Sequence, residues 1–138
     1  MLMDTGGNSG SQACVSIIRG ISLNEIEFRD LGRVVWKEIR VSVLCGVCLA
    51  VACFAKIIVI DMLLLKSESV TYLVAFVVCA TMAVTVCLAK IVGSTLPLLA
   101  KKLGFDPAVM ASPIITTIVD FLSLLVYFAF ATAMLGIG

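Results

Sequence analysis

Histidine is absent from this sequence of 138 residues, and charged residues make up only 14 % of it. The missing imidazole excludes a histidine general acid or base and a histidine-rich zinc site. Soluble domains are about half apolar and carry about a quarter charged residues. Here 62 % of the residues are apolar and the mean hydropathy is +1.19, which predicts an integral membrane protein. The net charge of +1 gives no indication of nucleic-acid binding.

The six cysteines give no sign of a disulfide framework. Five of them lie within apolar runs, where cysteine behaves as a small hydrophobic residue. Cys45 and Cys48 match a CxxC spacing, but no second pair and no polar surroundings accompany them, so neither redox chemistry nor metal binding is predicted there. The first dozen residues are rich in glycine and polar side chains rather than in the pattern of a signal peptide, and none is expected.

Three apolar stretches are long enough to cross a bilayer as helices, and together they predict an all-α membrane fold. The stretches are residues 41–65, 70–99 and 107–136. At about 1.5 Å per residue the second would exceed a bilayer as one helix, so a bend is expected between Gly93 and Pro97. Asp106 and Pro107 suit the N-cap and the first helical position of the third stretch.

The first 40 residues are the polar part of the chain. Gly6, Gly7 and Gly10 argue against a stable helix interior, and they suit a frayed terminus, an unwound segment or a helix end where backbones approach closely. Residues 13–40 contain most of the charge and are expected to include a short amphipathic helix at the membrane interface. Trp36 would then lie at headgroup level, with most of the charged side chains in solvent.

The distribution of basic residues predicts the orientation of the chain in the membrane. Residues 13–40 and 100–106 are rich in Lys and Arg, and two spans between them place both on the same side. The loop between the first two spans carries only Lys66. The positive-inside rule therefore puts both basic segments in the cytoplasm and the C-terminus outside, in the plasma or inner membrane of a cell.

The third stretch contains a lone carboxylate, Asp120, with no Lys or Arg near it in the sequence. An ionisable group at membrane depth is costly, so it usually has a partner or a function. On a helix, Ser112 and Thr116 lie on the same face as Asp120, and Ser123 and Tyr127 continue that face. The segment therefore predicts a one-sided stripe of oxygen atoms.

A proline adds a backbone ligand to this stripe. Pro113 cannot donate a backbone hydrogen bond and clashes with the carbonyl four residues earlier, so a bent helix and a released Val109 carbonyl are expected. A ligand set made only of oxygen suits a hard cation such as Mg²⁺ or Ca²⁺. The alternative is a protonated Asp120, or one that is hydrogen-bonded to Thr116 of its own helix.

Three motifs of the chain resemble signatures of the MgtE family of magnesium channels. The first reads TGGNSGSQ over residues 5–12, followed by IIRG at 17–20. The second joins LPLL at 96–99 to KKLGFDPA at 101–108, and the third comprises Ser112-Pro113, Thr116-Thr117 and Asp120. These motifs occur in order over nearly the whole chain, so the resemblance is specific.

The resemblance implies a homodimer in which each subunit contributes five transmembrane helices and the pore follows the dimer axis. The chain would supply the last three helices and the end of the second, without the cytosolic regulatory domains and their Mg²⁺-sensing CBS pair. Asp120 would be the pore aspartate, with Ser112 and Thr116 at neighbouring ion-site positions and Asp106 near the cytoplasmic mouth. The other motif residues implied to shape the pore are Gly6, Gly7, Asn8, Gln12, Pro107, Pro113 and Thr117.

The function expected from these observations is transport of Mg²⁺ through a pore lined by the last helix, with Mn²⁺, Co²⁺ or Ca²⁺ as alternative ions. Lys90 is expected to face away from the pore, because a cation there would repel Mg²⁺. Two other functions remain open. One is a truncated, non-transporting membrane fragment that packs with a partner. The other is an intramembrane enzyme that uses Asp61 and Asp120.

Overall fold

The computed structural model describes residues 2–64, 66, 72–110 and 113–136, and the chain is helical over nearly all of them. The long helices are α1 (Leu2–Ser22), α2 (Leu31–Lys56), α3 (Tyr72–Lys102) and α4 (Pro113–Leu135). The short elements are a 3-10 turn before α2 (Phe28–Asp30), a π-helical segment after it (Ile57–Leu64) and a 3-10 turn before α4 (Pro107–Met110). The all-α prediction is confirmed.

Three of these helical segments are long and apolar enough to cross a membrane, as the sequence predicts. They cover Phe28–Ile60, Tyr72–Lys102 and Pro113–Met134. The middle segment, α3, continues through Gly93 and Pro97 as one helix of 31 residues, and it ends before Gly104, whose φ of +86° suits only glycine. At about 1.5 Å per residue α3 is longer than the hydrocarbon core, so tilt or extension into the headgroup region must accommodate it.

The expected amphipathic helix at the interface is not formed as a separate element. Helix α1 continues to Ser22, and α2 already begins at Leu31, so residues 31–40 are the first turns of a membrane-spanning helix. The turn between them is held by a reciprocal cap, in which the Glu27 amide donates to Asp30 Oδ2 at 3.1 Å. This cap starts a helix earlier than the charge pattern alone suggests.

The glycines near the start of the chain lie inside a continuous helix, so the expectation of an unwound or frayed segment is wrong. Close approach of backbones is their role instead. A Cβ atom on Gly6 would lie 2.8 Å from Thr85 Cγ2, and one on Gly93 would clash with the Gly10 carbonyl oxygen. Helix α1 thus packs tightly against α3, and this packing offsets the cost of about 1 kcal/mol that each glycine imposes on a helix interior.

A buried ion pair joins α2 to α3. Lys90 Nζ lies 3.7 Å from Glu38 Oε2, and the two side chains are 11 % and 12 % exposed. Glu38 is thus an exception to the expectation that most charged side chains of the N-terminal part lie in solvent. The pairing shows that Lys90 points towards α2, where the carboxylate of Glu38 neutralises it.

Candidate ion site

Asp120 lies on α4 where this helix packs against α1. Its neighbour Val119 is buried, while Asp120 itself is half-buried. A Cβ atom added at Gly7 of α1 would lie 3.5 Å from Asp120 Oδ1 and 3.7 Å from Thr116 Cγ2. Because Gly7 has no side chain, the backbone of α1 can approach the carboxylate closely. The structure therefore brings together Gly7, Thr116 and Asp120 from two of the motifs.

The hydroxyl groups beside Asp120 donate to the first turn of α4. Thr116 Oγ1 donates to the Pro113 carbonyl oxygen at 3.0 Å, and Thr117 Oγ1 donates to the same oxygen at 2.7 Å. The single hydroxyl hydrogen of Thr116 is used in this bond, so Thr116 does not donate to Asp120, which was one of the two alternatives to ion binding. The lone pairs of both hydroxyl oxygens remain available to a cation or to its water shell.

The carboxylate of Asp120 has no partner in the part of the chain that the structure describes. Within that part, neither a hydrogen-bond donor nor a basic side chain contacts it. The same residues contain no group of three or more His, Cys, Asp or Glu side chains that could bind a metal ion. Within the described part of α4, Asp120 is the only carboxylate, so further anionic ligands for an ion would have to come from another element or another chain.

The start of α4 differs from the expected bend. Pro113 is the first residue of α4, where its missing N–H costs nothing. Val109 belongs to the separate turn Pro107–Met110 and is exposed, so Pro113 does not release its carbonyl from an α-helix. Asp106 caps that turn instead of α4, since its Oδ1 accepts from the Ala108 amide at 3.0 Å. Ser112, the remaining predicted ligand, lies outside the described residues.

Two residues of the predicted oxygen stripe have other surroundings. Ser123 is fully buried, donates to the Val119 carbonyl oxygen at 2.7 Å and lies against Gly6, so it belongs to the helix contact. Tyr127 is half-buried further along α4. Near the start of α4, the side-chain oxygen atoms outside the helix contact are those of Thr116, Thr117 and Asp120.

Helix α1 adds a polar stripe that sequence reasoning did not place on a helix. Asp4, Asn8, Gln12 and Ser16 follow one another at intervals of four residues, and all four are exposed. An open groove of about 490 Å³ runs along this face. The groove is lined by Ser11, Gln12, Val15 and Ser16. Gly7, which lies close to Asp120, falls between Asp4 and Asn8 in the sequence of α1.

A polar helix packed against apolar helices that are long enough to cross a membrane, with a carboxylate at their contact, is typical of a polytopic membrane protein. The family model MgtE, described as a divalent cation transporter, matches residues 1–130, and the chain belongs to this family.

Three curated relatives, each named magnesium transporter MgtE, are similar to nearly the entire chain. The relatives from Bacillus subtilis and Thermus thermophilus are each 33 % identical over 135 residues, which is 98 % of this chain. The relative from Enterococcus faecalis is 30 % identical over 132 residues, or 96 % of this chain. The matched region is 28 %, 28 % and 27 % of their lengths, so the chain spans less than a third of each.

Proposed function

We propose that this chain forms part of a pathway for Mg²⁺ across a cell membrane, with Asp120 as the anionic group that meets the hydrated ion. The observation that carries this proposal, within the described part of the chain, is the unpartnered carboxylate of Asp120 at the contact of α4 with α1, a helix that has an exposed polar stripe. Facing lipid, these groups would lack hydrogen-bond partners at a cost of several kcal/mol. Facing a water-filled pathway, they are solvated and attract cations. The names of the three relatives support magnesium as the ion.

The chemistry of the site suits an ion that retains its water. Mg²⁺ prefers octahedral oxygen coordination, loses water reluctantly and is often bound through only one or two carboxylates. Asp120 supplies the charge, and the hydroxyl oxygens of Thr116 and Thr117 orient waters of the first shell. Mn²⁺, Co²⁺ and Ca²⁺ take the same kinds of ligand and compete to the extent that size and hydration allow.

A two-fold axis completes the site. The described part of α4 offers a single carboxylate, and a homodimer with the polar stripes of α1 facing each other would bring two Asp120 side chains to one ion. The apolar faces of α2 and α3 then meet the lipid bilayer. Asp106, in the exposed turn before α4, lies near the cytoplasmic mouth, with Ser112 and the Val109 backbone between it and Asp120 along the chain. Asn8 and Gln12 line the pathway from α1.

The orientation follows from charge and from one contact. Lys102 Nζ lies 4.2 Å from the centre of the Phe28 ring, so the basic end of α3 and the basic start of α2 are on one side of the membrane. We assign this side to the cytoplasm and the C-terminus to the outside. Because the family is one of transporters, neither an intramembrane enzyme nor a non-transporting fragment is favoured.

Thiol labelling tests whether the polar stripe faces water. In a background whose native cysteines are replaced by alanine, we expect Asn8→Cys and Gln12→Cys to react with a water-soluble thiol reagent in membranes. Leu44→Cys is the matched control, because Leu44 is 67 % exposed but lies on the apolar face of α2. The control should stay unlabelled. Equal labelling of all three cysteine variants, or of none, would show that α1 and α2 face the same medium. Either result would contradict the proposal.

A further inference from the structure

One face at the start of α2 carries three basic side chains and a tryptophan. Arg33, Lys37 and Arg40 are spaced four and three residues apart, so they lie on one side of the helix, and Trp36 lies beside them. All four side chains are exposed, Trp36 to 63 %. The buried residues of α2 lie on the other side of the helix. These four exposed residues are the basic face of α2.

The positive charge of the basic face is not neutralised within the described part of the chain. Its three basic side chains make no ion pair or hydrogen bond there. The acidic groups nearby in the sequence are already engaged, since Glu38 faces Lys90 and Glu27 pairs with Arg29 at 3.2 Å. Asp30 accepts the hydrogen bond that closes the turn before α2. The basic face is therefore free to attract an anion from outside the described chain.

The same side of α2 becomes apolar after Arg40. Leu44, Val47 and Val51 continue it at helical spacing, and they are 67 %, 55 % and 64 % exposed. Because α2 belongs to a segment long and apolar enough to cross a membrane, these side chains face hydrocarbon. The change from charge to hydrocarbon places the basic face at headgroup level, where tryptophan is also favoured. A free anion would match only the charges, whereas a phospholipid matches both parts of this surface.

A groove between α2 and α3 opens beside this boundary. It has a volume of about 260 Å³ and apolar walls. The walls include Val43, Gly46 and Val47 of α2 and Ala83, Val84 and Leu88 of α3. Val43 follows Arg40 by three residues, so the groove begins within one helical turn of the last basic side chain. Apolar cavities of this kind exclude water and take hydrocarbon.

We propose that this surface binds one anionic phospholipid, with its phosphate at Arg33, Lys37 and Arg40 and part of one acyl chain in the groove. Guanidinium groups bind phosphate oxygen atoms in a bidentate manner, and the lysine ammonium group adds a point charge. Basic side chains next to a membrane surface each add to the attraction of anionic lipid. The site involves none of the residues around Asp120 and does not depend on the proposed Mg²⁺ pathway.

Trp36 reports on the site, because it is the single tryptophan of the chain. Bromine atoms on an acyl chain quench tryptophan fluorescence on contact. The unmodified protein is reconstituted in vesicles of phosphatidylcholine and phosphatidylglycerol, with bromine on the chains of one lipid at a time. We expect the anionic lipid to be preferred next to Trp36 at least about tenfold at low salt. Equal quenching by the two lipids would overturn the proposal. Quenching by neither would also overturn it, because a protein surface would then cover this face.

Two triple variants separate the site from general charge. Glutamine in place of Arg33, Lys37 and Arg40 should reduce the lipid preference to about one. The matched control removes three exposed basic residues from the same end of the helix bundle but from outside α2, namely Arg19, Lys101 and Lys102. The control should keep its preference within about threefold of the unmodified protein. An equal loss in both variants would show that general positive charge, rather than this face, attracts the lipid.

Inorganic phosphate tests whether the anion must carry acyl chains. Added to the vesicles at constant ionic strength, it should leave the preference for brominated phosphatidylglycerol unchanged. Abolition of the preference by phosphate would assign the basic face to a free anion and overturn the lipid site.

A second reporter tests the place of the acyl chain. In a Trp36→Phe background, Val84→Trp puts the tryptophan at the groove and should keep a preference for the anionic lipid of at least about threefold. Phe76→Trp is the matched control, because Phe76 is an exposed residue of α3 that lies two helical turns before Val84 and outside the groove. It should show a preference of about one. Equal preferences at the two positions would show that the groove does not hold the chain of this lipid.

Discussion

Asp120→Asn is expected to weaken Mg²⁺ binding by at least about 100-fold, because the substitution removes the negative charge and keeps the shape of the side chain. In the proposed dimer both carboxylates are lost at once, so the effect exceeds that of losing one ligand. The measurement is calorimetry or an ion-dependent thermal shift on the protein in detergent. Saturable stabilisation of the unmodified protein by Mg²⁺ should vanish in the variant.

Asp106→Asn is the matched control for this result. Asp106 is exposed and its carboxylate caps a turn, a hydrogen bond that the asparagine oxygen can retain. The substitution removes only the long-range attraction between the Asp106 carboxylate and Mg²⁺. The expected change in Mg²⁺ affinity is therefore less than about tenfold and should diminish in high salt. An equal loss in both variants would mean that general charge, rather than coordination at Asp120, governs binding.

Glu38→Gln is expected to destabilise the fold by about 3–5 kcal/mol, since it leaves the ammonium group of Lys90 buried without its counter-charge. The reduced stability should appear as a lower midpoint in denaturant or thermal unfolding. A second substitution, Lys90→Met, should restore most of the loss in the Glu38→Gln background, because a methionine fills a similar volume without charge. This reversal separates an ion-pair effect from a packing defect.

Glu25→Gln provides the surface control, because Glu25 is exposed. It should change stability by no more than about 0.5 kcal/mol. If Glu38→Gln were equally mild, the pair between α2 and α3 would carry no stabilising role. If Lys90→Met failed to restore the stability of Glu38→Gln, the loss of stability would have to arise from altered packing at position 38 and not from the unpaired ammonium group.

Much of the fold could be predicted from the sequence because hydropathy reports burial in lipid directly. The three spans follow from long apolar runs, and α4 as the carrier of Asp120 follows with them. The motif resemblance also named both Gly7 and Asp120. Their contact could not be derived from periodicity, because nothing local specifies which helix packs against the carboxylate.

The errors in prediction have a common physical cause, which is tertiary packing. The glycines of α1 disfavour an isolated helix, but Gly6 and Gly10, spaced four apart, form a small-residue face against α3. That spacing was the signal that could have identified the helix. The sequence around Glu38 indicates a surface charge, and only the packing of α3 places Lys90 beside it. Pro113 predicts a kink within a helix, but it is the first residue of α4 and follows a capped turn.

Flux of Mg²⁺ into vesicles that are reconstituted with this protein and loaded with a Mg²⁺-sensitive dye tests the role of Asp120 in transport. Entry of Mg²⁺ should be saturable, and Asp120→Asn should abolish it while the variant remains folded and inserted. Undiminished flux through Asp120→Asn would show that the ion crosses without meeting the carboxylate, and Asp120 would then have no part in transport.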